Sequence, residues 1–190
     1  MTRHFKALVI GGSCGLLTVL LKLLGSLPKG FQLPVIVVSH IHPSDCGELA
    51  DFFNERIPIP VKEAEDKELI RPNTIYLAPS NYHLLIEPDG TFSLNMDEKV
   101  SYSRPSIDVL FQSAGFAFGD RVIAVLMTGS NHDGVTGLSS VKKFGGLTIA
   151  QDPDSAECPI MPRAAIDAGH VDQVLTIDEL IEFLISKVDT

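Results

Sequence analysis

Basic residues are scarce in this sequence relative to acidic ones. The 190 residues include 15 Lys and Arg against 24 Asp and Glu, which gives a formal net charge of -9 at pH 7. The summed field of such a chain repels nucleic acid and anionic membrane surfaces, and no run of basic residues offsets it. We therefore expect no nucleic-acid partner.

Long hydrophobic runs are also missing. Arg3 and Lys6 precede an apolar stretch that extends to Leu27, an arrangement that imitates a secretory signal. Glycines at positions 11, 12 and 15 and Lys22 interrupt the stretch, so no continuous run of ~18 apolar residues exists, and no small-x-small cleavage motif ends it. We expect a strand followed by a buried helix, and no membrane insertion.

Cysteine is rare as well. Cys14, Cys46 and Cys158 are odd in number and scattered along the chain. They show neither the C-x-x-C spacing of a zinc site nor the pattern of a disulfide framework. We therefore expect a protein of the reducing cytoplasm without a disulfide framework.

The sequence does contain a regular alternation of strand-like and helix-like segments. "KALVIGG" precedes "LLTVLLKLLGSL", "PVIVVSH" precedes "CGELADFFNER", and "RVIAVLMTG" precedes "DGVTGLSSVKKFGG". This order is typical of βαβ units, and the consecutive apolar positions of the strands indicate helices on both faces. We predict one α/β domain over residues 1–190, with a doubly wound and mainly parallel sheet.

The middle of the chain departs from this alternation. "PVKEAE", "TIYLAP" and "HLLIEPDGTFSLN" are typical of short strands, and Asp89-Gly90 is a hairpin turn signal. We predict an antiparallel extension here, then an exposed loop from Met96 to Tyr102. A helix with Pro105 near its first turn should follow in "RPSIDVLFQSAGFAFG".

Ser13 lies at the centre of a G-x-S-x-G pattern in "VIGGSCG". Flanking glycines let a strand turn sharply into a helix and expose a nucleophilic hydroxyl at the helix N-terminus, although a serine in such a turn is also a common helix cap. The dinucleotide fingerprint G-x-G-x-x-G fails, because Ser13 occupies the place of its second glycine and His40, not an acidic residue, ends the second strand. We expect no cofactor.

His40 and Asp133 follow two other strands, in "VVSH" and "LMTGSNHDG". Loops at the carboxyl ends of parallel strands open on one edge, so Ser13 should lie at the switch point between His40 and Asp133 if the later strand pairs with the other side of the first. Nucleophile, base and orienting acid would then meet. Three alternatives to these roles remain. His42 could belong to a partial metal site "HIHPSDC", His132 could be the base, and Asp133 could be the cap of the following helix. No clear third or fourth metal ligand accompanies "HIH", so we expect no metal.

With these motifs in place, the sequence resembles the catalytic domain of the CheB chemotaxis methylesterase family over nearly its full length. The matching stretches include "VIGGSCG", "LPVIVVSH", "RPSIDVLFQSA", "VLMTGSNHDGVTGLSSVKKFGGLTIAQDP" and "MPRAAIDAG". The resemblance implies a doubly wound α/β fold and a serine hydrolase that cleaves glutamate γ-methyl esters on chemoreceptors and deamidates certain glutamines. It implies Ser13 as nucleophile, with His40 and Asp133 as its partners.

The chain also departs from the family pattern. Ser-Thr-Gly-Gly at the nucleophile becomes Ser13-Cys14-Gly15-Leu16, the Gln before the histidine becomes Ser39, and Met-Gly in the aspartate loop becomes Ser130-Asn131. The receiver domain that regulates many family members does not occur within these 190 residues.

Further residues receive weaker assignments. Backbone N–H groups of Cys14 or Gly15 are candidate oxyanion donors. Arg104 is a candidate for substrate-backbone binding by the family motif, and Met161 for an apolar wall of the pocket. A small-molecule esterase and a non-catalytic interaction module remain alternatives to an enzyme acting on a methylated chemoreceptor.

Overall fold

The structure is a computed structural model that describes residues 4–40 and 48–188. Its strands are β1 Ala7–Gly12, β2 Val35–Ser39, β3 Val61–Glu63, β4 Ile75–Leu77, β5 His83–Ile86, β6 Phe92–Asn95, β7 Val122–Leu126, β8 Leu147–Gln151 and β9 Gln173–Leu175. Its helices are α1 Leu16–Ser26, α2 Glu48–Asn54, α3 Ile107–Phe118, α4 Val135–Lys143, α5 Ile160–Asp167 and α6 Ile177–Val188.

Seven of the strands form a sheet in the order β3-β4-β2-β1-β7-β8-β9. Every pairing within it is parallel. β1 lies between β2 and β7, so the carboxyl ends of these three strands are neighbours at the point where the strand order reverses. This confirms the predicted doubly wound α/β fold and creates the crevice in which such folds bind ligands.

The sheet is covered on both faces, which is why its strands are apolar at consecutive positions. Within β1, Leu8 and Ile10 pack into the core formed with α1, α2 and α6. Ala7 and Val9 face the opposite core, which α3, α4, α5 and the hairpin complete. Successive residues from Ala7 to Ile10 therefore face alternate helical layers.

The antiparallel extension is smaller than the sequence predicted. β5 and β6 form an antiparallel hairpin whose connection contains Asp89 and Gly90, as expected. The prediction is wrong for β3 and β4, which are parallel members of the main sheet. The segment between these two strands runs beside the hairpin, where Lys67 N–H donates to the Phe92 carbonyl and Ile70 N–H to that of Gly90. These hydrogen bonds stabilise the crossover between β3 and β4, which contains no helix.

The starts of α6 and α3 follow from nearby residues. At α6, Thr176 and Glu179 form a capping box, with the Thr176 N–H donating to Glu179 Oε2 at 2.8 Å and the Glu179 N–H donating to Thr176 Oγ1 at 3.3 Å. α3 begins at Ile107, two residues after Pro105, close to the prediction. Pro162 is the third residue of α5. In the described ranges, no helix combines the length and apolarity needed to span a membrane.

Candidate active site

Asp133 is fully buried between β7 and α4, and its carboxylate lies at the N-terminus of α3. Oδ1 accepts the Ser106 hydroxyl at 2.8 Å and the Asp108 N–H at 3.0 Å. Oδ2 accepts the Ile107 N–H at 2.8 Å and is 2.8 Å from His40 Nε2. A helix N-terminus offers unpaired N–H groups and a positive dipole end, so it stabilises a buried carboxylate. Four hydrogen bonds thus fix this side chain.

The helix that follows Asp133 is capped by a different residue. Asp108, in the first turn of α3, accepts the N–H groups of Gly134 at 2.9 Å and Gly137 at 2.6 Å, both at the start of α4. The two aspartates therefore cap each other's helix. The alternative in which Asp133 merely caps the following helix is wrong, because its carboxylate points to α3 and His40.

The two carboxylates respond differently to burial. Burial alone would raise the pKa of Asp133, but hydrogen bonds from His40, from the Asp108 and Ile107 N–H groups and from Ser106 outweigh it and hold that pKa below its usual range. Burial, together with the charge of Asp133, raises the pKa of Asp108 to about 6 against the opposing hydrogen bonds from the Gly137 and Gly134 N–H groups. Asp133 is therefore ionised near neutral pH.

The contacts of His40 determine which ring nitrogen carries the proton. Asp133 is ionised and can only accept, so His40 Nε2 must donate to it, and Nδ1 of the neutral ring carries a lone pair. Asn131 Nδ2 lies 3.4 Å from that Nδ1. The orientation of the Asn131 amide follows from its other end, where Oδ1 accepts the Asp133 N–H at 3.0 Å. Asn131 thus faces the basic nitrogen of the ring.

Ser13 lies in the turn between β1 and α1. Its N–H donates to the Thr128 carbonyl at 2.9 Å, which joins the turn to the end of β7. Gly15 caps α1 at φ 75°, a left-handed conformation that glycine adopts without strain. Within the described part of the chain, the N–H groups of Cys14 and Gly15 donate no hydrogen bond, so both remain available to a ligand.

Ser13 and His40 line the same cavity, of about 430 Å³. It opens where β1, β2 and β4 end, and α1 and α2 form its sides. About half of its wall is apolar, contributed by Leu16, Leu17, Leu20, Val37, Leu49, Phe53 and Leu77. The remaining lining residues are Ser13, Gly15, Thr18, Ser39, His40 and Glu157. The cavity therefore combines apolar surface with a hydroxyl, an imidazole and a carboxylate.

The cysteine prediction needs correction. Cys14 and Cys158 form a disulfide although 144 residues separate them, and their Cα atoms are 6.1 Å apart. No sequence pattern indicates this pairing, because it depends on the loop before α5 meeting the turn after β1. Cys46 lies outside the described residues.

Other predicted site residues are not in the cavity. Arg104 Nη1 donates to the carbonyls of Met96 at 2.8 Å and Asp97 at 3.0 Å, so it holds its own loop. Met161 is fully buried in the core and is not among the residues that line this cavity. His132 is exposed, whereas His40 contacts Asp133.

The metal alternative gains no support from the described residues. Between residues 4–40 and 48–188, no group of three or more His, Cys, Asp or Glu side chains could hold an ion. His42, the second histidine of the partial motif, lies outside these ranges.

Sequence reasoning missed four residues that the structure brings to the site: Ser106, Asp108, Asn131 and Glu157. Ser106 and Asp108 lie within the motif "RPSIDVLFQSA", where the pattern indicated only a helix start. A serine and an aspartate at such a start are a cap signal, and here they bind Asp133 and α4 instead. Glu157 gave no signal, because it reaches the cavity through loop geometry alone.

Comparison with known proteins agrees with this geometry. The family profile described as CheB methylesterase matches residues 8–184. A putative protein-glutamate methylesterase/protein-glutamine glutaminase of Leptospira interrogans is 44% identical over 182 residues, covering 96% of this chain and 94% of that protein. The protein-glutamate methylesterase FrzG of Myxococcus xanthus is 35% identical, covering 97% of this chain but 55% of FrzG.

Among solved structures, the Thermotoga maritima CheB methylesterase catalytic domain matches with a TM-score of 0.91 and 34% identity, over 96% of this chain and 98% of that one. Fold and site together define a doubly wound α/β protein with a histidine–aspartate pair beside a serine turn at its switch point. The chain belongs to the CheB methylesterase family. The predicted resemblance is confirmed.

Proposed function

We propose that this protein hydrolyses glutamate γ-methyl esters on a methylated chemoreceptor or a related protein in the cytoplasm, releasing methanol. The observation that carries the proposal is the His40–Asp133 pair at 2.8 Å, with His40 and Ser13 lining one cavity in a member of the CheB methylesterase family. Relatives are named protein-glutamate methylesterase/protein-glutamine glutaminase, so glutamine deamidation belongs to the same proposal.

In the first half of the proposed reaction, Ser13 Oγ attacks the ester carbonyl carbon while its proton passes to His40 Nδ1. Asp133 keeps Nε2 protonated before this step and stabilises the imidazolium that forms, which is the role of the acid in a serine triad. The N–H groups of Cys14 and Gly15 stabilise the oxyanion, since they have no other acceptor in the described ranges.

In the second half, the imidazolium returns the proton to the departing methoxide, so methanol leaves and an acyl ester remains on Ser13. A water then attacks this ester while His40 Nδ1 accepts one of its protons. The imidazolium returns that proton to Ser13 Oγ as the acyl C–O bond breaks, and the glutamate product leaves as a carboxylate, its acidic proton passing to solvent. A glutamine would follow the same path with ammonia as the leaving group. These steps need no cofactor.

The cavity favours a neutral side chain over an anionic one. About half of its wall is apolar, no cationic side chain is among its lining residues within the described ranges, and Glu157 adds a carboxylate. The ester or amide is neutral and fits this environment, whereas the product carboxylate is repelled by Glu157 and by the overall charge of -9. This difference promotes product release.

The test is release of methanol from radiolabelled methylated receptor by the wild type, Ser13→Ala and His40→Ala. We expect both variants to lose nearly all turnover while they remain folded, since triad members act as a unit. Ser130→Ala and His132→Ala are matched controls on the neighbouring exposed loop and should retain wild-type turnover.

Four results would overturn parts of the proposal. Wild-type turnover by Ser13→Ala, or an inactive His132→Ala beside an active His40→Ala, would reject the assigned nucleophile or base. Efficient hydrolysis of free methyl glutamate with no preference for receptor would indicate a small-molecule esterase. Failure to react with a serine-directed phosphonate would favour a non-catalytic interaction module.

A further inference from the structure

We propose that Cys14 and Cys158 are a reversible oxidation site that controls the turn carrying Ser13. The effect on turnover rests on the proposed function, but the site itself does not. Cys14 directly follows Ser13, and the disulfide joins it to the loop that carries Glu157 along the edge of the cavity. Oxidation therefore creates a covalent link between the nucleophile turn and one wall of the cavity.

Thr128 holds the two cysteines together independently of the disulfide. Its buried hydroxyl donates to the Cys14 carbonyl at 2.9 Å and accepts the Cys158 N–H at 2.9 Å. The Cys158 carbonyl in turn accepts the Gly129 N–H at 2.9 Å. These bonds do not involve sulfur, so they persist after reduction. The thiols remain neighbours, which makes the pair quick to close again.

Common cellular reagents can both form and reduce the Cys14–Cys158 disulfide. Hydrogen peroxide oxidises the two thiols, which lose two electrons and two protons as the disulfide forms and two waters are released. A dithiol reductant of the thioredoxin class reverses this, since its thiolate attacks one sulfur, its second thiol resolves the mixed disulfide, and it leaves as a cyclic disulfide. Cys14 is an exposed residue that such a reagent can reach. Disulfides of cytosolic proteins are commonly transient and redox-sensing.

Reduction should weaken the site without abolishing it. The candidate oxyanion donors, the N–H groups of Cys14 and Gly15, lie in the segment that the disulfide holds. Misplacement of a catalytic group by about 1 Å costs up to ~100-fold in rate. Because Thr128 still holds the reduced turn, we expect a smaller loss, about three- to tenfold, in the acylation of Ser13.

The experiment compares the peroxide-oxidised and dithiol-reduced forms of the full chain. Free thiols are counted by alkylation and mass spectrometry, which also detects the disulfide-linked Cys14–Cys158 peptide. The reactivity of Ser13 is measured as the rate at which a serine-directed phosphonate labels it. Labelling should be faster in the oxidised form and should follow the fraction of disulfide across a redox titration. Cys158→Ser should label at the reduced rate under both conditions, whereas Cys46→Ser should respond as the wild type does.

Equal labelling rates in the two wild-type forms, or absence of the linked peptide after oxidation, would overturn this inference. The wild-type comparison needs no variant, so a misfolded Cys158→Ser leaves the test intact. If labelling follows the disulfide but neither form demethylates receptor, the methylesterase proposal fails and the oxidation site stands.

Discussion

Asp133 and Ser13 both lie in loops at the carboxyl ends of adjacent strands, yet the two loops are secured differently. The Asp133 carboxylate is buried and accepts four hydrogen bonds, two of them from the backbone of α3. The Ser13 turn is partly exposed and relies on Thr128 and one disulfide. His40, the proposed base, is thus oriented by a buried carboxylate, whereas Ser13, the proposed nucleophile, lies in a partly exposed turn.

The largest expected effect comes from substitution of the buried residue, Asp133. Asp133→Asn should lower kcat by about 10⁴-fold, the loss seen when a triad acid can no longer fix the histidine tautomer. Asp167→Asn, an exposed aspartate on α5, is the control and should keep wild-type turnover. Methanol release measures the turnover of both variants. A loss below tenfold in Asp133→Asn would show that the buried Asp133 carboxylate does not control His40.

Asp108 should affect stability more than chemistry. Asp108→Ala leaves the N–H groups of Gly134 and Gly137 without their acceptor and should reduce the free energy of unfolding by about 2–4 kcal/mol. Asp108→Asn keeps an acceptor for both and should be far milder. Urea denaturation of the two variants measures the difference, and equal losses would contradict the reciprocal capping.

The pH dependence of stability gives Asp108 a second test. Its pKa is raised to about 6 in the folded protein, so the folded state holds a proton that the unfolded chain releases near pH 4. The stabilisation is complete at lower pH and is lost as pH rises through about 6, by roughly 3 kcal/mol at most. Asp133 acts oppositely, losing its contribution as pH falls. Asp108→Asn should abolish the decline between pH 4 and 6, and a persistent decline would assign it to another group.

Asn131 should shift the pH dependence of activity. Its amide nitrogen lies 3.4 Å from His40 Nδ1, the atom that would accept the serine proton in the proposed mechanism. Asn131→Asp places a carboxylate there and should move the acid limb of the kcat/KM profile upward by about one pH unit. Asn131→Ala should move it less in the same direction. Unchanged midpoints in both variants would reject this contact.

The smallest effect is expected at the edge of the cavity. Glu157 opposes negative charge beside the Ser13 turn, so Glu157→Gln should quicken phosphonate labelling by about two- to threefold at low ionic strength. The gain should fade as salt screens this exposed charge.

Wild-type turnover of methylated receptor should also rise with moderate salt, while turnover of free methyl glutamate changes less. A receptor activity that collapses with added salt would contradict the repulsion.

Much of this arrangement was predictable from sequence because it depends on local patterns. The alternating strands and helices predict the doubly wound sheet, and the strand order then predicts that His40 and Asp133 flank the Ser13 turn. Their apposition at 2.8 Å agrees with that expectation. The catalytic roles themselves stay predictions.

The remainder depends on contacts between distant loops. The parallel placement of β3 could not be predicted, because its crossover bonds to a hairpin that lies later in the chain. The Cys14–Cys158 pair and the approach of Glu157 to the cavity depend on where the loop before α5 passes. The periodicity of apolar residues carries no information about such contacts between distant loops.

The reciprocal capping of α3 and α4 has a consequence for how the protein opens. Gly137 lies so close to α3 that a Cβ there would be 2.6 Å from Phe111 Cβ, which leaves no room for water between the helices. Neither helix start can unravel without releasing the other's cap. The amides of Ile107, Asp108 and Gly134 should therefore exchange with deuterium in one cooperative event, much more slowly than those of the Ser13 turn.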